Sequence, residues 1–195
     1  MTLSLPVLTI LAGGKSSRMG GIDKALVMIG GHRMIDCVIE RVRRQAGTIV
    51  IAGGEDRGTG LTVIPDRPSG PVGPSAALYS VGRWLHERKE NVDAFFSVPV
   101  DAPFLPDNLL SRLSAKNRSA IAASGSDLHP TIGYWQLSVL EAAFQSLKDE
   151  SNPSLRAVAA ACRSEHIDFN PSDLTNINSM ADLEHAEKQD RNEAD

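Results

Sequence analysis

PVLTILAGGKSSRMGGIDK, residues 6–24, joins a continuously apolar segment to a loop rich in glycine and basic residues. The apolar run over residues 6–12 is typical of a strand buried on both faces of a parallel sheet. Paired glycines at 13–14 and 20–21 let a backbone approach a ligand closely and turn its N–H groups toward phosphate oxygens. The stretch therefore predicts a first strand that leads into a phosphate-binding loop.

Two familiar phosphate-loop patterns do not fit this loop. The triplet Gly14-Lys15-Ser16 resembles the end of a P-loop, but the GxxxxGK[ST] pattern requires glycine at position 9, where the chain has Thr9. The GxGxxG spacing of dinucleotide-binding folds is not met either, whether it is read from Gly13 or from Gly14. An NTPase loop and a Rossmann dinucleotide loop are both excluded.

The loop instead carries a local cluster of positive charge. Lys15, Arg18 and Lys24 lie close together in a chain whose formal net charge is −4. Arginine can bind phosphate through a bidentate fork, and lysine acts as a compact point charge. The alternative is a surface loop whose charges are solvated. The position of residues 13–24 directly after the first strand favours phosphate binding instead.

Strand-like runs alternate with segments of helical period along the rest of the chain. This alternation predicts an α/β fold, a Rossmann-like three-layer α/β/α arrangement with a mostly parallel sheet. We expect one domain over residues 1–187 and a frayed tail over 188–195. Strands are predicted at 6–12, 48–54, 61–66, 93–101, 120–124, 131–136 and 166–169. Helices are predicted at 33–47, 74–90, 106–117, 137–150 and 153–163, the last capped by Asn152, with a final helix opened by a capping box of Ser179 and Asp182.

Ligands of open parallel sheets bind at the carboxyl ends of the strands, which directs attention to residues 12–24, 52–54, 66–73 and 101–106. Asp101 follows the strand-like run FFSVPV and is flanked by prolines. Its carboxylate could bind Mg²⁺ together with substrate phosphates, or it could cap the next turn. The same two alternatives hold for Asp66, whereas Asp23 could orient the neighbouring Lys24.

Composition narrows the class of protein. The 195 residues are 42% hydrophobic and 23% charged, an ordinary globular balance. The negative net charge argues against a broad nucleic-acid or membrane-surface footprint. Cys37 and Cys162, the two cysteines, are consistent with reduced thiols, and the N-terminal segment lacks the basic start of a signal peptide. We expect a cytoplasmic protein with neither nucleic acid nor membrane as a partner.

Residues 11–24, LAGGKSSRMGGIDK, are similar to the signature of the molybdenum cofactor guanylyltransferases. That family belongs to the nucleotidyltransferases that share L-A-[AG]-G-x(3)-R-[MF]-G-x(2)-K, and the double glycine of LAGG favours its guanylyl branch over its cytidylyl branch. The resemblance continues in the expected order through further motifs, which are Asp66, Gly70-Pro71, residues 99–104, His129-Pro130-Thr131 and Asn176-x-Asn178.

The resemblance implies a nucleotidyltransferase fold and transfer of GMP from GTP to molybdopterin, with Mg²⁺ as cofactor and molybdoenzymes or their chaperones as possible partners. It implies catalytic roles for Arg18, Lys24 and Asp101, the last as the metal ligand. It also implies a nucleotide site at Leu11, Ala12, Gly13, Gly14, Lys24, Gly53, Asp66 and Asp101, and a pterin side at His129, Asn176 and Asn178.

Two segments depart from the family pattern. Residues 52–54 read Ala-Gly-Gly where the family often carries an asparagine, and residues 70–74 read Gly-Pro-Val-Gly-Pro in place of Gly-Pro-Leu-Ala-Gly, near where guanine is read. Proline fixes φ and removes an N–H donor. Three alternatives therefore stay open: a cytidylyltransferase for the same cofactor, a transferase for another phosphorylated acceptor, and a non-catalytic nucleotide-binding regulator.

Overall fold

A computed structural model describes residues 6–13, 23–88, 92–179, 181–182 and 184. Its main sheet has seven strands, which are β1 Val7–Leu11, β4 Thr48–Ala52, β5 Thr62–Ile64, β6 Ala94–Pro99, β7 Ala120–Ser124, β8 Asp127–Gln136 and β9 Glu165–Asp168. Their order across the sheet is β5-β4-β1-β6-β8-β7-β9. All neighbouring strands pair in parallel except for β8, which runs antiparallel to both β6 and β7. The prediction of a mostly parallel sheet is confirmed.

The first strand lies at the centre of this sheet. It pairs with β4 on one side and with β6 on the other, so that Leu8 and Ile10 are fully buried. Hydrogen bonds continue the pairing past the strand ends, because the Ala12 amide donates to the Ala52 carbonyl (3.0 Å) and the Val100 amide donates to the Leu11 carbonyl (3.1 Å). The chain segments that leave β1, β4 and β6 are thereby held side by side at one edge of the sheet.

Helices cover both faces of the sheet. Helices α1 (Met34–Arg43) and α3 (Leu109–Leu113) pack in one hydrophobic cluster with the face of β1 that carries Leu8. Helices α2 (Ala76–Glu87), α4 (Leu137–Ser146) and α5 (Leu155–Ala161) pack on the other face in a second cluster. Each fully buried aliphatic side chain contributes about 1.5–3 kcal/mol of transfer free energy, so these two clusters hold the layers together. The three-layer arrangement is confirmed.

The structure differs from the sequence prediction in the middle of the chain. Strand β8 begins at Asp127 rather than at residue 131 and forms a hairpin with β7. Pro130 inside this strand argues against an extended ladder, but the pairing has an irregularity opposite Ile121 and Ala122 where a proline is tolerated.

Two helix predictions also change. The helix predicted over 106–117 is only Leu109–Leu113, because the turns on either side of it are not helical. Asn152 does not cap α5, since the Ser154 hydroxyl accepts the Ala157 amide instead (3.1 Å). A small two-stranded sheet, β2 (Met28–Ile29) with β3 (His32–Arg33), was not predicted because each strand has only two residues.

The tail expected over 188–195 lies outside the described residues, and the single-domain assignment stays a prediction. Among the helices that the structure describes, none combines the length and the apolar character needed to traverse a bilayer.

Candidate functional site

Three predicted site residues meet at the carboxyl edge of the sheet. The Lys24 ammonium lies 2.7 Å from Asp101 Oδ2 and 2.6 Å from Asn178 Oδ1. These residues are far apart in the sequence, since Asn178 follows Lys24 by 154 positions. The lysine and aspartate side chains are 19% and 17% exposed, so the ion pair is shielded on most sides but open to a ligand.

Backbone contacts fix Asp101 in this position. Strand β6 ends at Pro99, and Asp101 follows after one further residue. Its carbonyl accepts a hydrogen bond from the Ile177 amide (2.8 Å), which brings the segment carrying Asn178 alongside. The Asp101 carboxylate is thereby held where its Oδ2 contacts Lys24.

The segment around Asn178 is held by a reciprocal cap. Asp182 Oδ2 accepts the amides of Asn178 (2.8 Å) and Ser179 (2.9 Å), and the Ser179 hydroxyl accepts the Asp182 amide (3.2 Å). The Asn178 amide, followed by the Ser179 side chain, lowers the pKa of Asp182, and the charge of Lys24 acts in the same direction. The capping box predicted at Ser179 and Asp182 is confirmed. It holds the backbone of Asn178, whose side-chain oxygen accepts the hydrogen bond from Lys24.

Lys24 is placed by a short 3-10 helix, Lys24–Leu26, whose N-cap is Asp23. Asp23 Oδ1 accepts the Ala25 amide (3.0 Å) and Oδ2 pairs with the Arg57 guanidinium (2.6 Å). The expectation that Asp23 orients Lys24 is thus met through the backbone, since the Asp23 carboxylate holds the helix on which the lysine stands.

The glycines after β1 and β4 are in close contact. Gly53 has a positive φ of 75°, and a Cβ there would lie 2.9 Å from the Gly13 Cα. Any larger residue at position 53 would push the two segments apart. Leu11 is partly buried against the α2 side of the sheet, and Ala12 is buried. The predicted nucleotide residues 11–13 and Gly53 therefore lie beside one another at the carboxyl edge.

Asp66 is exposed and follows β5 at the same edge. Arg18 and Gly14, together with Lys15, lie outside the described residues. The roles of all four remain predictions.

The predicted pterin-side residues also lie toward the carboxyl edge. His129 is in β8, and its Nε2 is 2.9 Å from the Ser124 hydroxyl. Burial lowers the pKa of His129, with the positive charge of Arg156 acting in the same direction and the negative charge of Asp127 against it. Burial and Arg156 thus favour the neutral form of the imidazole. The Asn176 side-chain oxygen is buried and accepts no hydrogen bond from the described residues.

One residue of the site was missed from the sequence. The Arg57 guanidinium binds Asp23 (2.6 Å), the Ala12 carbonyl (3.2 Å) and the Glu55 carbonyl (2.8 Å), and its side chain is only 10% exposed. Residues 53–60 contain four glycines and no strand or helix period, so nothing in the pattern separates Arg57 from a solvated loop arginine. Its distance of 34 positions from Asp23 hides the pairing further.

The donor set fits one divalent cation of the magnesium type. Asp101 offers a carboxylate and Asn178 adds an amide oxygen, and both groups contact Lys24 in this structure. The described residues contain no group of three or more acidic, histidine or cysteine side chains that could enclose a metal by themselves. Magnesium usually binds through one or two carboxylates plus substrate phosphates, so the ion would enter together with the substrate.

A cavity of about 730 Å³ lies elsewhere, between α2 and α4, and is lined by Tyr79, Arg83 and Phe144 among others. None of the predicted site residues lines it, but residues 70–72, from the segment that departs from the family pattern, do. Its lining mixes apolar side chains with charged ones, among them Arg83, Glu141 and Lys148. The carboxyl edge of the sheet is thus the better candidate site.

Comparisons with known proteins give the family of the chain. A model of the MobA-like NTP transferase domain matches residues 8–167. A molybdenum cofactor guanylyltransferase of Nitrobacter hamburgensis is 31% identical over 202 residues, covering 96% of this chain and 97% of the relative. Another of that name from Cereibacter sphaeroides is 34% identical over 193 residues, covering 95% of this chain and 97% of the relative.

Solved structures share the fold. Molybdopterin-guanine dinucleotide biosynthesis protein A of Archaeoglobus fulgidus superimposes with a TM-score of 0.73 at 18% identity, covering 95% of this chain and 99% of that chain. The 2-C-methyl-D-erythritol 4-phosphate cytidylyltransferase of Thermus thermophilus gives a TM-score of 0.67 at 18% identity, covering 97% and 100%. At such identities the likeness establishes the architecture alone.

Proposed function

The chain belongs to the MobA-like NTP transferase family, and from that premise we propose that it transfers GMP from GTP to molybdopterin, releasing pyrophosphate and forming the guanine dinucleotide form of the cofactor. The family resemblance predicted from residues 11–24 is confirmed, and the protein is a nucleotidyltransferase. Relatives named molybdenum cofactor guanylyltransferase, at 31–34% identity over nearly the whole chain, support the choice of nucleotide and acceptor.

The contact of Lys24 with Asp101 and Asn178 is the observation that carries the proposal. It joins a cation next to the glycine-rich segment, a carboxylate after β6 and an amide from the segment after β9. A protein that only binds nucleotide needs charge for phosphate but no carboxylate beside it. The combination suits a reaction at a phosphorus atom that also uses a divalent cation.

In this reaction, a phosphate oxygen of molybdopterin forms a new bond to the α-phosphorus of GTP as the bond from that phosphorus to the bridging oxygen of pyrophosphate breaks. The attacking phosphate is already ionised at neutral pH, so no strong general base is required. The protein's tasks are alignment of the two substrates and stabilisation of the negative charge that shifts onto the leaving pyrophosphate.

The residues of the site divide these tasks. The backbone at Ala12 and Gly13, beside Gly53, would admit the nucleotide closely, and Lys24 would neutralise phosphate charge. Asp101 would hold Mg²⁺, which when bound supplies charge stabilisation on the phosphate oxygens. We assign Arg18 the second phosphate-binding charge and Asp66 a part of the nucleotide site. His129, Asn176 and Asn178 would face the pterin, where a neutral imidazole can donate and accept hydrogen bonds.

Localisation and partners are part of the same proposal. The net charge of −4 supports an enzyme with neither nucleic acid nor membrane as a partner, and the two cysteines, taken as reduced thiols, support a cytoplasmic one. Delivery of the product to molybdoenzymes or their chaperones is part of the same proposal.

Pyrophosphate release with GTP and with CTP, each with and without molybdopterin, tests the function in wild type and in Asp101→Ala. We expect release only with GTP plus molybdopterin, and its loss in the variant. Release with CTP instead would make the protein a cytidylyltransferase. Binding of nucleotide without release under any condition would make it a regulator.

A further inference from the structure

We propose that Arg57 is a positioning residue for this reaction: its guanidinium joins the chain before the glycine-rich segment to the chain after it, and so fixes the backbone that carries Lys24. The part of the inference that concerns catalysis rests on the proposed function of Lys24. The part that concerns the backbone stands on geometry alone.

The guanidinium reaches both flanks of residues 14–22 at once. Its Nη2 donates to the carbonyl of Ala12, directly after β1 (3.2 Å), and its Nε donates to Asp23 Oδ2, directly before Lys24 (2.6 Å). Nη1 donates to the Glu55 carbonyl in its own loop (2.8 Å). A planar fork with fixed donors can satisfy acceptors in three directions, which the single ammonium of lysine cannot reproduce.

The loop around Arg57 is shaped to hold this side chain. Arg57 has a positive φ of 54°, an uncommon conformation for a residue with a side chain. A Cβ at Gly54 would lie 2.8 Å from Arg57 Nη2, so the glycine leaves the space that the guanidinium fills. The Arg57 carbonyl in turn accepts Arg33 Nη1 (2.6 Å), and Arg33 is held by a bidentate pair with Asp36.

The contact between Arg57 and Asp23 affects Lys24 because Asp23 is the N-cap of the helix that begins at Lys24. The Asp23 carboxylate accepts hydrogen bonds from both Arg57 and the Ala25 amide. The hydrogen bond from the Ala25 amide caps the three-residue 3-10 helix that begins at Lys24. Helices of this type have poor hydrogen-bond geometry and depend on their caps. Loss of Arg57 would leave Asp23 without its cation and loosen the helix. A displacement of about 1 Å at a catalytic group can cost about 100-fold in rate.

The first experiment needs no substrate. Amide hydrogen exchange, followed by NMR without nucleotide, is measured at Ala25 and at Ile10 in the sheet centre for wild type, Arg57→Met and Arg57→Lys. We expect Arg57→Met to speed exchange at Ala25 about 10-fold or more, from the lost charge-assisted contact, with Ile10 unchanged. Arg57→Lys should lie between, because lysine can reach Asp23 but not all three acceptors. Arg163→Met is the matched control, since Arg163 is exposed, also has a positive φ (50°) and precedes β9 at the opposite sheet edge.

The second experiment asks whether Arg57 acts through Lys24. GTP affinity is measured calorimetrically for Arg57→Met, Lys24→Met and the double variant. We expect Arg57→Met to weaken GTP binding about 10-fold in the wild-type background and less than about 2-fold when Lys24 is already methionine. A residue that merely stabilises the fold would weaken binding equally in both backgrounds.

Three results would overturn the proposal. These are unchanged Ala25 exchange in Arg57→Met, faster exchange at Ala25 and Ile10 together, and equal loss of GTP affinity in both backgrounds. If wild type shows no turnover with any nucleotide, the proposed function fails on its own, and the Ala25 exchange rate still decides the role of Arg57.

Discussion

Replacing Lys24 by methionine should make the nucleotide-free protein bind a divalent cation more tightly. In the structure the Lys24 ammonium occupies Asp101 Oδ2 at 2.7 Å and Asn178 Oδ1 at 2.6 Å, which are the oxygens a cation would use. The lysine and the metal therefore compete for the same site. Methionine keeps most of the side-chain length and removes both the charge and the donors.

The size of the effect follows from the contact that is lost. A hydrogen bond to a charged group contributes about 1.5–3 kcal/mol, and both partners here are less than one-fifth exposed, so solvent screening is modest. A cation that enters wild type must first displace this contact. Since about 1.4 kcal/mol corresponds to a factor of ten, Lys24→Met should tighten binding about 10- to 100-fold.

Mn²⁺ serves as the probe, because the free ion is quantified by electron paramagnetic resonance without any turnover. Lys24→Arg keeps a cation at the site and should bind Mn²⁺ nearly as weakly as wild type. Lys148→Met removes the same charge from an exposed position in the turn after α4 and controls for net charge. Asp101→Asn should abolish the gain when added to Lys24→Met. Equal Mn²⁺ affinity in wild type and Lys24→Met, or a gain that survives Asp101→Asn, would refute competition for the carboxylate.

Three further outcomes can be checked. Gly53→Ala should lower the free energy of unfolding in urea by about 1–3 kcal/mol more than Gly60→Ala does. Both glycines have a positive φ, but only a Cβ at Gly53 would meet backbone, 2.9 Å from the Gly13 Cα. Equal losses of unfolding free energy would show that the close approach is unimportant. Burial raises the pKa of Cys162 to about 12, so its thiolate fraction at pH 8 is about one in ten thousand. Iodoacetamide should therefore label Cys162 only after unfolding, and mass spectrometry measures the labelling rate. Equal labelling rates with and without urea would contradict this. Burial lowers the folded-state pKa of His129 below the usual value of 6.5, so the unfolded chain binds the proton more readily and stability should fall as pH drops from 6.5 toward the folded pKa. In urea titrations His129→Gln should flatten this dependence, and an unchanged dependence in that variant would contradict the reasoning.

The fold was predictable because its strongest signals are local. The continuous apolar run of β1 and the periodic apolar positions of α1 each identify their element without reference to the rest of the chain. Strand β8 was partly missed because its pairing with β7 tolerates Pro130 at an irregularity, and that irregularity depends on the partner strand. A property of two strands together is not visible in either one.

The site divides in the same way. Lys24 lies within a known motif, and Asp101 follows a recognisable strand. Residue type and position in the sequence were therefore enough to predict both as site residues. Arg57 carries no such mark, because its role comes from a 34-position contact with Asp23 and from the space that Gly54 leaves. Cys162 was predicted to be an ordinary reduced thiol. Its burial, which raises the pKa of the thiol, cannot be read from the composition.

The hydrogen bond from Lys24 to Asn178 has a consequence for how the enzyme is made. The ribosome adds Asn178 154 positions after Lys24, and β1, β4 and β6, which form the centre of the sheet, are all translated before it. A nascent chain can therefore form its central sheet and bring lysine and aspartate to the same edge while the amide is still missing. Docking of the segment whose Ile177 amide donates to the Asp101 carbonyl would therefore be the last step in assembling the candidate site.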